Sequence, residues 1–243
     1  MATSPLEQFT IKPIIELPSG LDYTNSSLWM TIAVITATAF LVGGMRKREM
    51  VPGPWQSMAE SVYEFIGNMI RDNVGSEGRK YFPLVFTIFM FVLFGNALGM
   101  IPGSFTYTSH IIVTFAMAIF VFLFVTLVGL FKHGLHFFSF FVPEGAPKFL
   151  YPLIIPIEII SYLSRPISLS VRLFANMVAG HTMLKVFAGF VFGLGAATFG
   201  VGALLPLGLN VLLIGFEFMI AFIQAYVFTI LTCLYLNDAL HLH

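Results

Sequence analysis

Apolar runs of membrane-spanning length recur along the chain, and polar residues punctuate them in two distinct ways. A bilayer crossing takes about 20 apolar residues for about 30 Å of hydrocarbon, and such runs cover residues 27–44, 81–101 and 111–131. The first ends at Met45-Arg46-Lys47-Arg48, the second at Pro102-Gly103 and the third at Lys132-His133. Between the first two, after the break at Pro52-Gly53-Pro54, residues 55–73 read differently. Met58, Val62, Phe65, Ile66, Met69 and Ile70 recur at helical spacing against Glu60, Glu64, Asn68, Arg71 and Asp72. This predicts an amphipathic helix on the inner membrane surface, too polar to span, although a helix packed against another protein would carry the same pattern.

Two later apolar segments are too long for one perpendicular crossing. Residues 149–192 run without a strong polar break, and residues 204–236 follow the Gly-rich stretch 193–202. The first is either a hairpin turning at Ser164-Arg165-Pro166 or one steeply tilted helix. Its polar residues favour the single helix. Glu158, Arg165, Arg172 and Ala179 recur every seventh residue, Ser161, Ser168, Ala175 and Thr182 follow three later, and the phase holds across Pro166. On a helix this is one stripe of polar and small residues. In the last segment Asn210, Glu217 and Gln224 are again seven apart. Hydrogen bonding between helices accounts for residues such as Asn210 and Ser161. It does not account for an arginine and a glutamate at membrane depth, which cost several kcal/mol and mark charge transport.

Composition agrees with the pattern. The chain has 243 residues, 58% of them hydrophobic and only 10% charged, with a mean hydropathy of +0.90, where a soluble domain carries about 25% charged residues. The fold class is therefore an all-α polytopic membrane protein: about five transmembrane helices and one amphipathic surface helix in a single membrane domain, 1–243. Zero net charge leaves no basic footprint for nucleic acid. The single Cys233 excludes an internal disulfide and a cysteine-cluster metal site and reads as a packing residue. His133 and His136 lack a third ligand at suitable spacing, so the HGLHFFSF stretch and Pro143–Pro147 read as an interfacial loop rather than a metal site. No metal or cofactor is expected.

Residues 1–24 form an outer N-terminal segment without the basic-then-apolar order of a cleavable signal, so the first span stays in the mature protein. Basic residues 46–48, 71, 79, 80, 132 and 148 fall on one side of the predicted spans. By the positive-inside rule that side is inside, which puts the N-terminus outside and the C-terminus inside.

SRPISLSVRLFANMVAGH (residues 164–181), EFMIAFIQAYVFTILTCLYL (217–236) and GNALGMIPG (95–103) closely resemble segments of subunit a of the F-type ATP synthases, the stator half of the proton-translocating membrane sector. The resemblance implies an integral, non-nucleotide-binding subunit, not an enzyme on its own, that works against a ring of c subunits and beside b-type peripheral stalk subunits. It implies that Arg172 is the essential stator charge facing the ring, with Gln224 beside it on the last helix. His181 and Glu217 match the family's paired polar positions in an exchanged, mitochondrial-like arrangement, since some bacterial members hold glutamate at the first and histidine at the second. Lys185 sits too near the outer end to match the companion lysine of some alkaliphile members. By analogy the location is a bacterial inner (plasma) membrane, with the mitochondrial inner membrane as the alternative.

A deprotonated ring carboxylate can cross the stator only opposite a fixed charge, and arginine keeps its proton in proteins. The other polar groups then divide into two half-channels. Glu217 and His181 relay protons toward the outside, with Asn176 and Asn210 holding water or orienting side chains. Glu158, Ser161, Ser168 and Arg165 line an inner opening. On a helix Glu158 lies about 21 Å from Arg172, and Gln224 about 10 Å from Glu217. Arg165 rivals Arg172 on the same stripe, but it lies nearer the inner end, where arginine can snorkel. A secondary transporter would show paired repeats with broken helices, which are absent here. An intramembrane enzyme lacks its motif, since there is no HExxH and Asp22, Asp72 and Asp238 are expected outside the core. A scaffold without a transport role leaves the arginine unexplained.

Overall fold

Asn25 opens the first long helix and ties the chain before it in place. Its Nδ2 donates to the Thr10 carbonyl at 3.1 Å, and its Oδ1 accepts from the backbone of Lys12 and of Ser26. Behind it β1 (Pro13–Ile15) and β2 (Tyr23–Thr24) form a short antiparallel ribbon, the one element outside the all-helical expectation. The computed structural model describes residues 7–16, 22–46, 49–101, 103–142, 148–198 and 200–241. Lys47 and Arg48 of the basic cluster, Pro102, the Pro143–Pro147 loop and His243 lie outside the described residues.

Among the described residues six long helices follow: α1 (Asn25–Met45), α2 (Pro54–Val74), α3 (Phe82–Gly99), α4 (Ile111–His133), α5 (Tyr151–Ala197) and α6 (Leu204–Leu240). Five helices, α2 being the exception, are long and apolar enough to cross a membrane. The chain is thus an all-α, multi-pass membrane protein. Pro54 sits in the first turn of α2, where its missing N–H costs nothing. One face of this helix buries Ala59, Ile66, Met69, Ile70 and Val74, while Trp55, Met58 and Tyr63 stay exposed. Neighbouring helices of this same chain reach it at buried Ala59, which leaves no room for a Cβ on Gly44 of α1, and at the more exposed rings of Trp55 and Phe65, which meet Phe40 and Phe89.

The segment around Pro166 holds no turn. α5 is continuous over 47 residues with Pro156 and Pro166 inside it. Its buried positions Tyr162, Leu169, Leu173 and Met177 recur at spacings of seven and four, the seam expected of a helix packed along one side. α6 runs for 37 residues, past Leu236 to Leu240, because Ala239 and Leu240 are themselves buried. Between the two, Gly200 takes a left-handed φ of 94° that a side chain would strain.

The chain packs as two compact units, one formed by Met1–Ala39, Met90–Ile111 and Leu173–Tyr226, the other by Phe40–Phe89, Ile112–Arg172 and Val227–His243. The core of the second is built on Ile66, Val85, Phe89, Val121, Leu169, Phe228 and Leu236, with the hydroxyl residues Thr114, Ser170, Thr229 and Thr232 buried among them. The first also buries Asn96, Thr106, Thr108, Glu217 and Gln224. Its polar content makes it the place to look for chemistry.

Candidate functional site

Within that first unit, His181 of α5 and Glu217 of α6 lie in ion-pair contact. Nδ1 of His181 is 2.7 Å from Oε1 of Glu217, and the side chains are only 11% and 5% exposed. The carboxylate oxygen lies off the axis along which an Nδ1–H points, yet it is close enough for one proton to serve both groups. The close approach depends on Gly180, because a Cβ there would strike the Glu217 carboxyl group. On the other side of the ring, Nε2 is 3.0 Å from the Gly99 carbonyl and 2.9 Å from Oγ1 of Thr106.

Thr106 belongs to the stretch 104–109, which the sequence presents as a plain polar loop and the structure folds inward. Phe105, Thr106, Tyr107, Thr108 and Ser109 are all buried. Tyr107 donates to the Phe91 carbonyl at 2.9 Å, and Thr108 donates to Oδ1 of Asn96 at 2.8 Å. Asn96 in turn reaches the Ala221 carbonyl of α6 at 3.4 Å. Burial of its ring pushes the Tyr107 hydroxyl far above the ordinary tyrosine range. The GNALG stretch has glycines because this loop lies against it: a Cβ at Gly95 would overlap the Tyr107 hydroxyl, and one at Gly99 would come within 2.5 Å of Thr106 Oγ1.

The two arginines of the α5 stripe have opposite surroundings. Arg165 is clamped: its Nη1 is 2.9 Å from Oδ2 of Asp238, and the Tyr162 and Tyr235 rings flank the guanidinium at 5.2 and 5.0 Å. Arg172 is exposed and, among the described residues, has no ion-pair or hydrogen-bond partner. Ser161, Ser168, Ala175 and Ala179 of the stripe are exposed with it. The stripe therefore turns away from the seam α5 buries in its own chain.

Comparison with known proteins gives the family. The sequence profile of the family described as "ATP synthase A chain" matches residues 26–237. ATP synthase subunit a of Rhodospirillum rubrum is 57% identical over 247 residues, covering 99% of each chain. The chain belongs to the ATP synthase A chain family. Subunit a of Paramagnetospirillum magneticum is 55% identical over 99% of each chain, and that of Rhizobium etli is 56% identical over 99% of this chain and 98% of its own.

Of the residues the family resemblance singles out, the structure brings His181 and Glu217 together and buries Gln224 at 6% exposure. Among the described residues, Nδ2 of Asn176, Oδ1 of Asn210 and Nε2 of Gln224 are buried atoms without a hydrogen-bond partner. Glu158 is half-buried and Ser168 exposed, and among the described residues neither makes a hydrogen bond or ion pair. Two groups are not evident from the sequence pattern. Asp238, expected outside the core, is the partner of Arg165, because α6 continues through it. Thr106 lies in a loop, and its contact to His181 spans 75 positions of sequence. Asn96 carries a signal of its own, a lone amide inside an apolar span.

Proposed function

We propose that this chain is the proton-translocating stator of an F-type ATP synthase in a bacterial inner membrane, with its N-terminus outside, and that Arg172 is the charge past which ring carboxylates move. The observation that carries this reading is the exposure of Arg172 on a membrane-spanning helix with no ion-pair or hydrogen-bond partner among the described residues. A charged side chain facing lipid costs several kcal/mol. The helix is stable there only where another molecule supplies the counter-charge. A carboxylate carried past on a neighbouring rotor meets that need, and the small residues Ser168, Ala175 and Ala179 beside Arg172 let a second helix approach closely.

Arginine suits the position because it holds its proton, so it can release an arriving carboxylate for protonation without carrying a proton across. Its neighbour on the stripe cannot substitute, since Arg165 is already neutralised by Asp238. The outer half-channel runs by His181 and Glu217. The partnerless buried atoms of Asn176, Asn210 and Gln224 suit a wetted route, because buried polar atoms without protein partners take ordered water. The inner half-channel opens by Glu158 and Ser168. Each proton crossing at 100 mV delivers about 2.3 kcal/mol, and the ring's rotation carries that energy away.

Cross-linking in native membranes tests the assignment of faces. With Cys233→Ser as background, Ala175→Cys should form a disulfide with single cysteines placed on the outer helix of a ring-forming proteolipid. Leu173→Cys, on the buried seam, should not. Equal cross-linking from both positions, or copurification without any proteolipid, would remove the stator reading. Reconstituted alone, the chain should transport nothing, whereas a secondary transporter would work unassisted.

A further inference from the structure

We propose that the Gly99 carbonyl and the Thr106 hydroxyl hold His181 with its proton on Nε2, so that the exchangeable proton of this site lies only on the Nδ1 side, shared with Glu217. Thr106 is then a positioning residue of the outer path. The inference rests on the reading of His181 and Glu217 as outer-path groups and makes it more specific: His181 works from one end and does not pass protons through its ring.

A carbonyl oxygen only accepts, and a threonine hydroxyl has a single hydrogen to give. The Gly99 carbonyl lies 3.0 Å from Nε2 and can only accept, so Nε2 supplies the hydrogen of that contact, and the Thr106 hydroxyl, 3.2 Å from the same carbonyl, turns its own hydrogen to Gly99. What remains on Oγ1 is lone pairs, and Nε2 of His181 lies 2.9 Å from them and 3.0 Å from the same carbonyl oxygen. Both neighbours of Nε2 therefore accept, and Nε2 must carry a hydrogen. At the far side Nδ1 and Glu217 Oε1 are 2.7 Å apart. Two bare acceptors repel at that distance, so a proton rests on one or the other.

Relay through the ring would take a proton at Nδ1 and release another from Nε2. Release would leave the Nε2 lone pair facing the Gly99 carbonyl at 3.0 Å, a contact with no proton to bridge it. The proton instead enters and leaves through Glu217, whose Oε2 is buried with no hydrogen-bond partner among the described residues. The loop that imposes this is firmly seated. Ser109 donates to the Thr106 carbonyl at 2.5 Å, Thr108 to Asn96 at 2.8 Å and Tyr107 to Phe91 at 2.9 Å. Gly99, lacking a Cβ, gives Thr106 the space to reach the ring.

The test is nitrogen-15 NMR of the whole histidine-labelled ATP synthase, with the His181 signals assigned by difference against His181→Gln. In the wild type, Nε2 should be protonated in both the neutral and the charged ring. Thr106→Val keeps the shape and removes the hydroxyl. It should add the opposite tautomer as a second population and lower ATP-driven proton pumping about three- to tenfold, the weight of one hydrogen bond. Thr106→Ser should recover most of both. A wild-type His181 with bare Nε2 would overturn the proposal, as would a Thr106→Val enzyme unchanged in spectrum or in pumping. The wild-type spectrum decides the tautomer even if Thr106→Val fails to assemble. Unchanged pumping in His181→Gln would instead remove the outer-path reading and leave the tautomer result standing.

Discussion

Separating Arg165 from Asp238 should loosen the end of α6 without stopping transport. At 2.9 Å two unit charges attract by roughly 6 kcal/mol at an effective dielectric constant of about 20. Asp238 is 37% exposed, so solvent screening and the cost of ordering both side chains reduce the net coupling to about 1–2 kcal/mol. The rings of Tyr162 and Tyr235 hold the guanidinium whether or not Asp238 is charged, which leaves the carboxylate as the variable. Cys233 offers a local probe: it is fully buried, five residues before Asp238 on the same helix. Its maleimide labelling in the detergent-solubilised complex requires local opening. Arg165→Gln and Asp238→Asn should each raise the labelling rate about 5- to 30-fold. The double variant should be little worse than either single one. ATP-driven pumping should fall modestly in all three. Single variants that label at the wild-type rate, or effects that add fully in the double variant, would refute the coupling.

Other expectations follow from the same geometry. Gly180→Ala places a Cβ against the Glu217 carboxyl group, and relieving that overlap should cost about 1–3 kcal/mol and cut vesicle pumping at least fivefold, measured by quenching of a pH-sensitive dye. Glu217→Gln should slow proton entry, and placing glutamate at 181 with histidine at 217 should restore part of it; flux equal to wild type in Glu217→Gln would count against the outer path. Gly95→Ala drives a Cβ into the Tyr107 hydroxyl and should reduce the amount of this subunit assembled in the membrane, read by immunoblot of the purified complex, whereas Gly43→Ala, where a Cβ meets nothing, should not.

The parts of the fold legible in the sequence are those written as period. The seven-residue stripe running through Pro166 distinguishes one long helix from a hairpin, and the structure has that helix, α5. Proline is tolerated there because neighbouring groups in a membrane bundle take up the freed backbone acceptors. Glu217 and His181 stand out for a related reason, as ionisable residues in apolar surroundings. What the pattern does not reveal is a polar residue in polar company. Thr106 sits in SFTYTSH, where a hydroxyl is unremarkable, and only the fold brings it to His181. Asp238 likewise follows the last long apolar run, at Asn237, and looks like the start of a solvated tail. Nothing local indicates that Ala239 and Leu240 are buried and carry the helix through it. The two arginines share one stripe and differ in sequence only by depth and by the motif around Arg172; the pairing of Arg165 with Asp238 adds a difference in surroundings.

That difference leads to the central measurement, ATP-driven proton pumping by inverted membrane vesicles carrying Arg172→Ala. Exposed and without an ion-pair partner among the described residues, Arg172 should be indispensable, so pumping should vanish although the complex assembles and still hydrolyses ATP. Arg165→Ala in the same vesicles should retain a substantial share. Pumping at the wild-type rate by Arg172→Ala would contradict the account.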